Sequence, residues 1–219
     1  MPRSPKSTSP TTRRKLLDAG VELIRARGYH GTTVDDICHM AGVTKGGFFH
    51  YFESKDDIAS AALAAFVDAR SEIFRNAPFR NLADPLERVF GRLDFEKELI
   101  ESSGKTKGCL AGTLAQELAL SRKEFRAACH DFFVRRADDF AADLAAAKAA
   151  CAPGASFDPQ SVANFYLAVT QGSQILSKAS GNNEVRLANL EHFRAYLRSL
   201  FGVEGRRPQK GKAVAAGTA

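Results

Sequence analysis

Cysteine is scarce in this chain, and the four present are scattered. Cys38, Cys109, Cys129 and Cys151 form no C-x-x-C pair, and no Cys/His cluster has zinc-ligand spacing. That argues against a disulfide scaffold or a structural zinc site, and a reduced cytoplasmic setting is expected. No apolar run approaches the roughly 20 residues that a membrane span needs. The first ten residues, MPRSPKSTSP, contain no apolar stretch, so no secretory leader is expected. Sustained period-two alternation is missing, which removes the half-exposed sheet. P-loop, Rossmann and metalloprotease signatures are missing too. The pairs His130–Asp131 and Glu191–His192 are helix neighbours that point apart, so neither makes a charge relay. No catalytic residue, metal or cofactor is expected.

What remains is helical. The 219 residues are 44% hydrophobic and 26% charged, with a formal charge of +6, which permits a polyanionic partner without requiring one. Leu17, Val21 and Ile24 fall at i, i+4 and i+7, predicting a helix over 11–27 that stops at Gly28. Thr33 to Asp36 reads as a capping box, with Ile37 and Met40 on one face of the short helix behind it and Gly42 ending it. Thr44 can cap the next helix, and Ser54 to Asp57 reads as a second capping box opening a helix to about residue 76. Asp84–Pro85 and Asp158–Pro159 each open a helix with proline in the first turn. Further helices are predicted over 108–120, 122–150 and 184–201. The fold class is all-α, with about nine helices. Residues 1–9 read as a disordered basic arm and 203–219 as a disordered tail, because neither has the large apolar groups to offset ordering entropy. Arg3, Lys6, Arg13, Arg14 and Lys15 either reach along a polyanionic partner or simply solubilise the end.

Residues 44–52, TKGGFFHYF, set poor helix formers beside a run of aromatics. Three short helices with Ala41–Gly42–Val43 as the turn between the second and third describe a helix-turn-helix. In that motif the front of the last helix meets bases in the major groove. Lys45 stands at that front. Gly46 and Gly47 would let the backbone approach DNA, and Phe48 and Phe52, four apart, would anchor the helix to the bundle. Phe49 can meet a thymine methyl, and His50 and Tyr51 can donate to phosphate oxygens. Tyr51 serves equally as a core ring. Lys55 adds charge at the next helix N-terminus.

The stretch GYHGTTVDDICHMAGVTKGGFFHYFESKDDI, residues 28 to 58, resembles the DNA-binding domain of TetR-family transcriptional regulators, without a gap. The resemblance implies a helix-turn-helix domain over 10–57 and a helical ligand-binding and dimerisation domain over 58–202. It implies that Thr33 contacts phosphate, that Thr44, Lys45 and Gly46 face bases, that Phe49, His50 and Tyr51 continue that surface, and that Lys55 clamps a phosphate. Two departures stand out. Gly47 replaces a frequent hydroxyl residue and Phe49 a frequent tyrosine, so one contact through each is lost.

The resemblance also implies a homodimer through residues 158–201 on a palindromic double-stranded operator, most simply a repressor released by a small-molecule inducer. Val162, Phe165, Tyr166, Val169, Gly172 and Leu176 form one apolar stripe there, and Leu187, Leu190, Phe193, Leu197 and Leu200 another; each reads as interface or as internal core. Phe90, Phe132, Phe133, Phe165, Gln116 and Gln171 are candidates for an inducer cavity, and each also reads as ordinary core or surface. Cys109 follows Lys105 and Lys107 at a helix start, which would favour its thiolate and an electrophile- or oxidant-sensing role. It also reads as a small buried residue. The rival class is a helical enzyme with a vestigial helix-turn-helix.

Overall fold

A computed structural model of the chain describes residues 10–104 and 108–203. The basic arm, the tail from 204 onward, Lys105 and Lys107 lie outside the described residues. Within them the chain forms helices and no strand. In order these are α1 (Pro10–Arg27), α2 (Val34–Ala41), α3 (Lys45–Phe49), α4 (Lys55–Arg75), a 3-10 turn at Pro78–Asn81, α5 (Pro85–Ser102), α6 (Leu110–Leu118), α7 (Lys123–Cys151), α8 (Pro159–Ser180) and α9 (Glu184–Phe201).

The ends of these helices follow from their flanking residues. Thr33 and Asp36 form the capping box of α2. Gly42 closes α2 in the left-handed region at φ 64°, where a side chain would be strained. Asp84 and Asp158 accept N–H groups of α5 and α8, with a proline behind each. The second box is only half made. Ser54 accepts from the Asp57 N–H, but the Asp57 carboxylate accepts from Glu53, one residue before the cap.

The helical stripes are shifted from the expected phase in places. In α1 the large buried residues are Leu16, Leu17, Leu23 and Ile24, while Val21 is half-buried. In α2, Ile37 and Cys38 are buried and Met40 is 49% exposed. One core cluster joins α1–α4 to Leu110, Leu114 and Leu118 of α6 and Phe125, Cys129 and Phe132 of α7. A second packs α5, α7, α8 and α9 around Phe140, Tyr166 and Phe193. A third, small one stacks Phe74, Phe79 and Phe95 where the 3-10 turn meets α5.

In α8 the expected single stripe divides in two. Val162 and Tyr166 face the core, whereas Phe165, Ile175 and Leu176 are exposed. In α9, Leu190, Phe193, Leu197 and Phe201 are core, and Tyr196 is the large exposed apolar group.

Candidate nucleic-acid interface and ligand cavities

The surface of α2 and α3 is assembled from its caps. The Thr33 hydroxyl accepts from the Asp36 N–H at 3.1 Å and donates to the Asp36 carboxylate at 2.6 Å. Those bonds, with the Thr33 N–H, hold the Asp36 carboxyl below its usual range. Thr44 caps α3 by accepting from the Gly47 N–H at 3.1 Å. Helix α3 is only five residues long and contains two glycines, which cost about 1 kcal/mol each relative to alanine. Phe48 and Phe52 are buried with ring centroids 5.7 Å apart, and burying two such side chains is worth about 1.5–3 kcal/mol each. Packing therefore outweighs propensity, and the helix is held by its back face.

The two glycines do different things. A Cβ at Gly46 would meet nothing within 4 Å, so that position leaves the outer surface open. A Cβ at Gly47 would lie 2.8 Å from Val43 Cγ1 and 3.3 Å from Thr44 Oγ1, so Gly47 seats α3 on its own turn and cap. The expectation that both serve close approach to DNA fits Gly46 alone.

Thr33, Thr44, Lys45, Gly46, Phe49 and His50 are exposed, Phe49 to 51%. The Lys45 ammonium lies 2.9 Å from Asp35. Tyr51 is half-buried against the first core cluster, its ring edge-on to His50 at 5.0 Å. Lys55 is half-buried. Its ammonium donates to the carbonyls of Tyr29 and Thr32, each at 3.1 Å, and sits 4.0 Å from the Tyr29 ring centre. It thus braces the entry to α2 and keeps one of its three donors.

The candidate ligand residues do not converge on one place. Cys109, Gln116 and Gln171 come together on a groove of about 360 Å³ between α6 and α8. Cys109 is 8% exposed there. Gln116 donates to the Gly112 carbonyl of its own helix at 3.1 Å. Phe132 lines a different cavity, of about 410 Å³, with residues of α4, the 3-10 turn, α5 and α7. Phe90 and Phe133 are half-buried packing residues, and Phe165 lies on the exposed face of α8 against Phe193 and Tyr196.

The second cavity carries residues that the sequence reading missed. Arg70, Arg75, Arg80, Arg92, Arg135 and Arg136 line it with Phe74 and Phe132. A signal was there. On α5, Leu86, Val89, Leu93 and Ile100 set the buried phase, and Glu96 falls in it with Arg92 beside it, so two charges stood where apolar groups belong. Glu96 accepts from the buried Tyr166 hydroxyl at 2.8 Å and pairs with Arg70 at 3.4 Å and Arg136 at 3.7 Å. Burial works to raise its pKa, but the two guanidinium groups and Tyr166 hold it below the usual range. Asp139 is held low in the same way by Arg92 and Arg80.

Helix α6 ties the groove to the N-terminal helices. Arg25 near the end of α1 donates to the Gly108 carbonyl at 2.7 Å, and Lys178 of α8 donates to the Arg25 carbonyl at 3.2 Å. Glu117 of α6 accepts from the His30 N–H at 2.8 Å. Arg122 pairs with Asp56 at 2.8 Å, and Asp56 also accepts from Tyr29. Among the described residues no group of side chains could hold a metal ion, and no helix is long and apolar enough to cross a membrane.

Known proteins match both parts of this architecture. A family model described as bacterial regulatory proteins, tetR family, matches residues 16–62, and one described as the C-terminal domain of LmrA/YxaF-like transcriptional regulators matches residues 85–189. The transcriptional regulator AcuR of Cereibacter sphaeroides is 34% identical over 113 residues, 52% of this chain and 52% of the relative. The HTH-type transcriptional repressor KstR2 of Mycobacterium tuberculosis is 34% identical over 89 residues, 41% of this chain and 44% of the relative. The chain thus spans about half the length of these curated relatives. The crystal structure of regulatory protein TetR from Rhodobacter sphaeroides superposes with a TM-score of 0.75 at 27% identity, covering 87% of this chain and 98% of that one. With its helix-turn-helix and its C-terminal helices both matched, the chain belongs to the TetR family of bacterial regulatory proteins.

Proposed function

We propose that the protein is a ligand-responsive transcriptional regulator, a repressor that binds a palindromic operator as a homodimer and leaves it when a small molecule binds. It performs no catalysis on this reading and works in the cytoplasm. The observation that carries the reading is the outer face of α3. An exposed phenylalanine, a lysine and an open glycine lie on a helix whose other aromatic residue, Phe48, is buried, and the exposed His50 follows at its C-terminal cap. Such a face suits the major groove, with Lys45 and Thr44 at the bases, Phe49 against a thymine methyl, and Thr33, His50, Tyr51 and the remaining Lys55 donor on phosphates. One helix of five residues makes too few contacts for specificity, so two copies about one DNA turn apart, roughly 34–36 Å, are needed. Phe165, Ile175, Leu176 and Tyr196 offer an apolar face for that pairing. Repression is favoured by the name of the mycobacterial relative.

Release requires a ligand that prefers one arrangement of the two reading helices over the other. The bonds from Gly108, Glu117 of α6 and Lys178 of α8 to Arg25 and His30 give ligand-induced movement a route to α1 and the loop that leads to α2. A mobility-shift titration with the DNA upstream of the protein's own gene tests the reading at near-physiological salt. A specific shift is expected, weakened about tenfold or more by Lys45→Ala. No specific shift, or a shift indifferent to Lys45→Ala, would sink it.

A further inference from the structure

The cavity beside Phe132 is built from charge to a degree that an apolar drug pocket is not. Six arginines line it, and the carboxylate among its lining residues is Asp139. Counting the groups just behind the wall does not restore the balance. Arg70 and Arg136 share Glu96; Arg80 and Arg92 share Asp139 and Asp143; Arg88 reaches Asp143 at 3.8 Å. Five arginines therefore share three carboxylates. Arg75 has no acidic partner among the described residues, and Arg135 is paired only loosely, at 3.9 Å, with the exposed Asp131.

The excess charge lies at the water-facing rim, at Arg75 and Arg135. Deeper in, Arg92 is paired with Asp139 and Asp143, yet one of its donors is left over, which is costly in a buried site. Arg92 is 2% exposed, and its Nε–H has no acceptor among the described residues. Its guanidinium lies 5.0–5.4 Å from the ring centres of Phe74, Phe79 and Phe140, and those of Arg70 and Arg136 lie over Phe74 at 4.7 and 5.1 Å. Guanidinium groups packed beside rings and tied to carboxylates keep their N–H edges in fixed directions, the geometry that suits an oxyanion. The volume, about 410 Å³, falls in the range of small-molecule sites, about 300–1,000 Å³.

We propose that this cavity binds an organic oxyanion, a single carboxylate or phosphate head held by Arg92, Arg136 and the rim arginines, with an apolar body against Phe74, Phe132 and Val67. This names the chemical class of the inducer and so rests on the reading of the protein as a small-molecule sensor. The groove at Cys109, with its glutamines and Lys178, has no comparable excess of charge.

Three matched probes test it by calorimetry on the full-length protein without DNA: 2-naphthoate, 2-naphthyl phosphate and the neutral 2-naphthamide. At least one anion is expected to bind about tenfold or more tightly than the amide, and which anion does so separates a carboxylate ligand from a phosphate one. Arg136→Met should abolish that preference. Because Arg136 supports Glu96, the double variant Arg75→Gln/Arg135→Gln, at exposed rim positions, provides a version that keeps its fold. It should weaken the anion about tenfold and leave the amide unchanged. The proposal is overturned if neither anion binds, if the amide binds as well, or if the preference survives in the folded variants. Operator binding is followed in parallel. Loss of anion binding with an intact DNA shift removes this proposal alone, whereas anion binding without any specific DNA shift removes the regulator reading alone.

Discussion

Lys45 stands at the front of α3 with its ammonium against Asp35, both side chains open to water. Exposed pairs of this kind are worth about 0–1 kcal/mol, so the lysine is held ready and can exchange its partner for a phosphate or a base edge. On the proposed reading Asp35 would repel the same phosphates. Asp35→Asn is therefore expected to tighten operator binding by about three- to fivefold at low salt, measured by fluorescence anisotropy, with a smaller gain as salt rises. An unchanged or weaker affinity would mean that Lys45 does not face DNA. Several residue identities were legible before any coordinates. Thr33, Thr44 and Gly42 take their capping roles because these depend on the nearest few residues in the chain. Lys55 was not legible in that way. Its ammonium turns to the carbonyls of Tyr29 and Thr32, more than twenty residues earlier, a contact that no local pattern encodes.

At the scale of elements, helix positions were readable and helix faces less so. Cap residues and prolines marked where α5 and α8 begin. The 3-10 turn at Pro78–Asn81 was unforeseen, because it depends on Phe79 finding Phe74 and Phe95 rather than on its own four residues. Helix α8 carries apolar groups on two sides, and periodicity alone cannot say which side the rest of the molecule covers. The structure assigns Val162 and Tyr166 inward and leaves Phe165, Ile175 and Leu176 outward. If that outward face joins two copies, Ile175→Asp/Leu176→Asp should shift the protein to a monomer in sedimentation velocity while leaving its helical circular dichroism unchanged. A dimer that survives the double change would place the interface elsewhere.

At the scale of the molecule, the buried ion network couples stability to pH. Glu96 titrates below its ordinary value of 4.5, so the unfolded chain binds its proton more readily than the folded one. The stabilisation is complete above that ordinary value and is lost as pH falls through the depressed one. Glu96→Gln also strands Arg70 and Arg136, and should cost about 2 kcal/mol at pH 7 by denaturant unfolding. The gap between the two proteins should narrow below about pH 4.5. A gap that is flat with pH would show that Glu96 carries no linkage. A further consequence follows from the first core cluster, in which Leu16, Phe48 and Ile58 share one interior with Leu110, Leu118 and Phe125. The four N-terminal helices are not a self-contained cartridge. A chimera spliced at residue 57 onto a foreign sensor would meet an unfamiliar α6, leaving apolar surface exposed and cutting the Arg25 and His30 tethers. A junction that carries α6 and the start of α7 along with α1–α4 would keep that interior whole, so recombination between relatives has to respect packing and not the motif boundary.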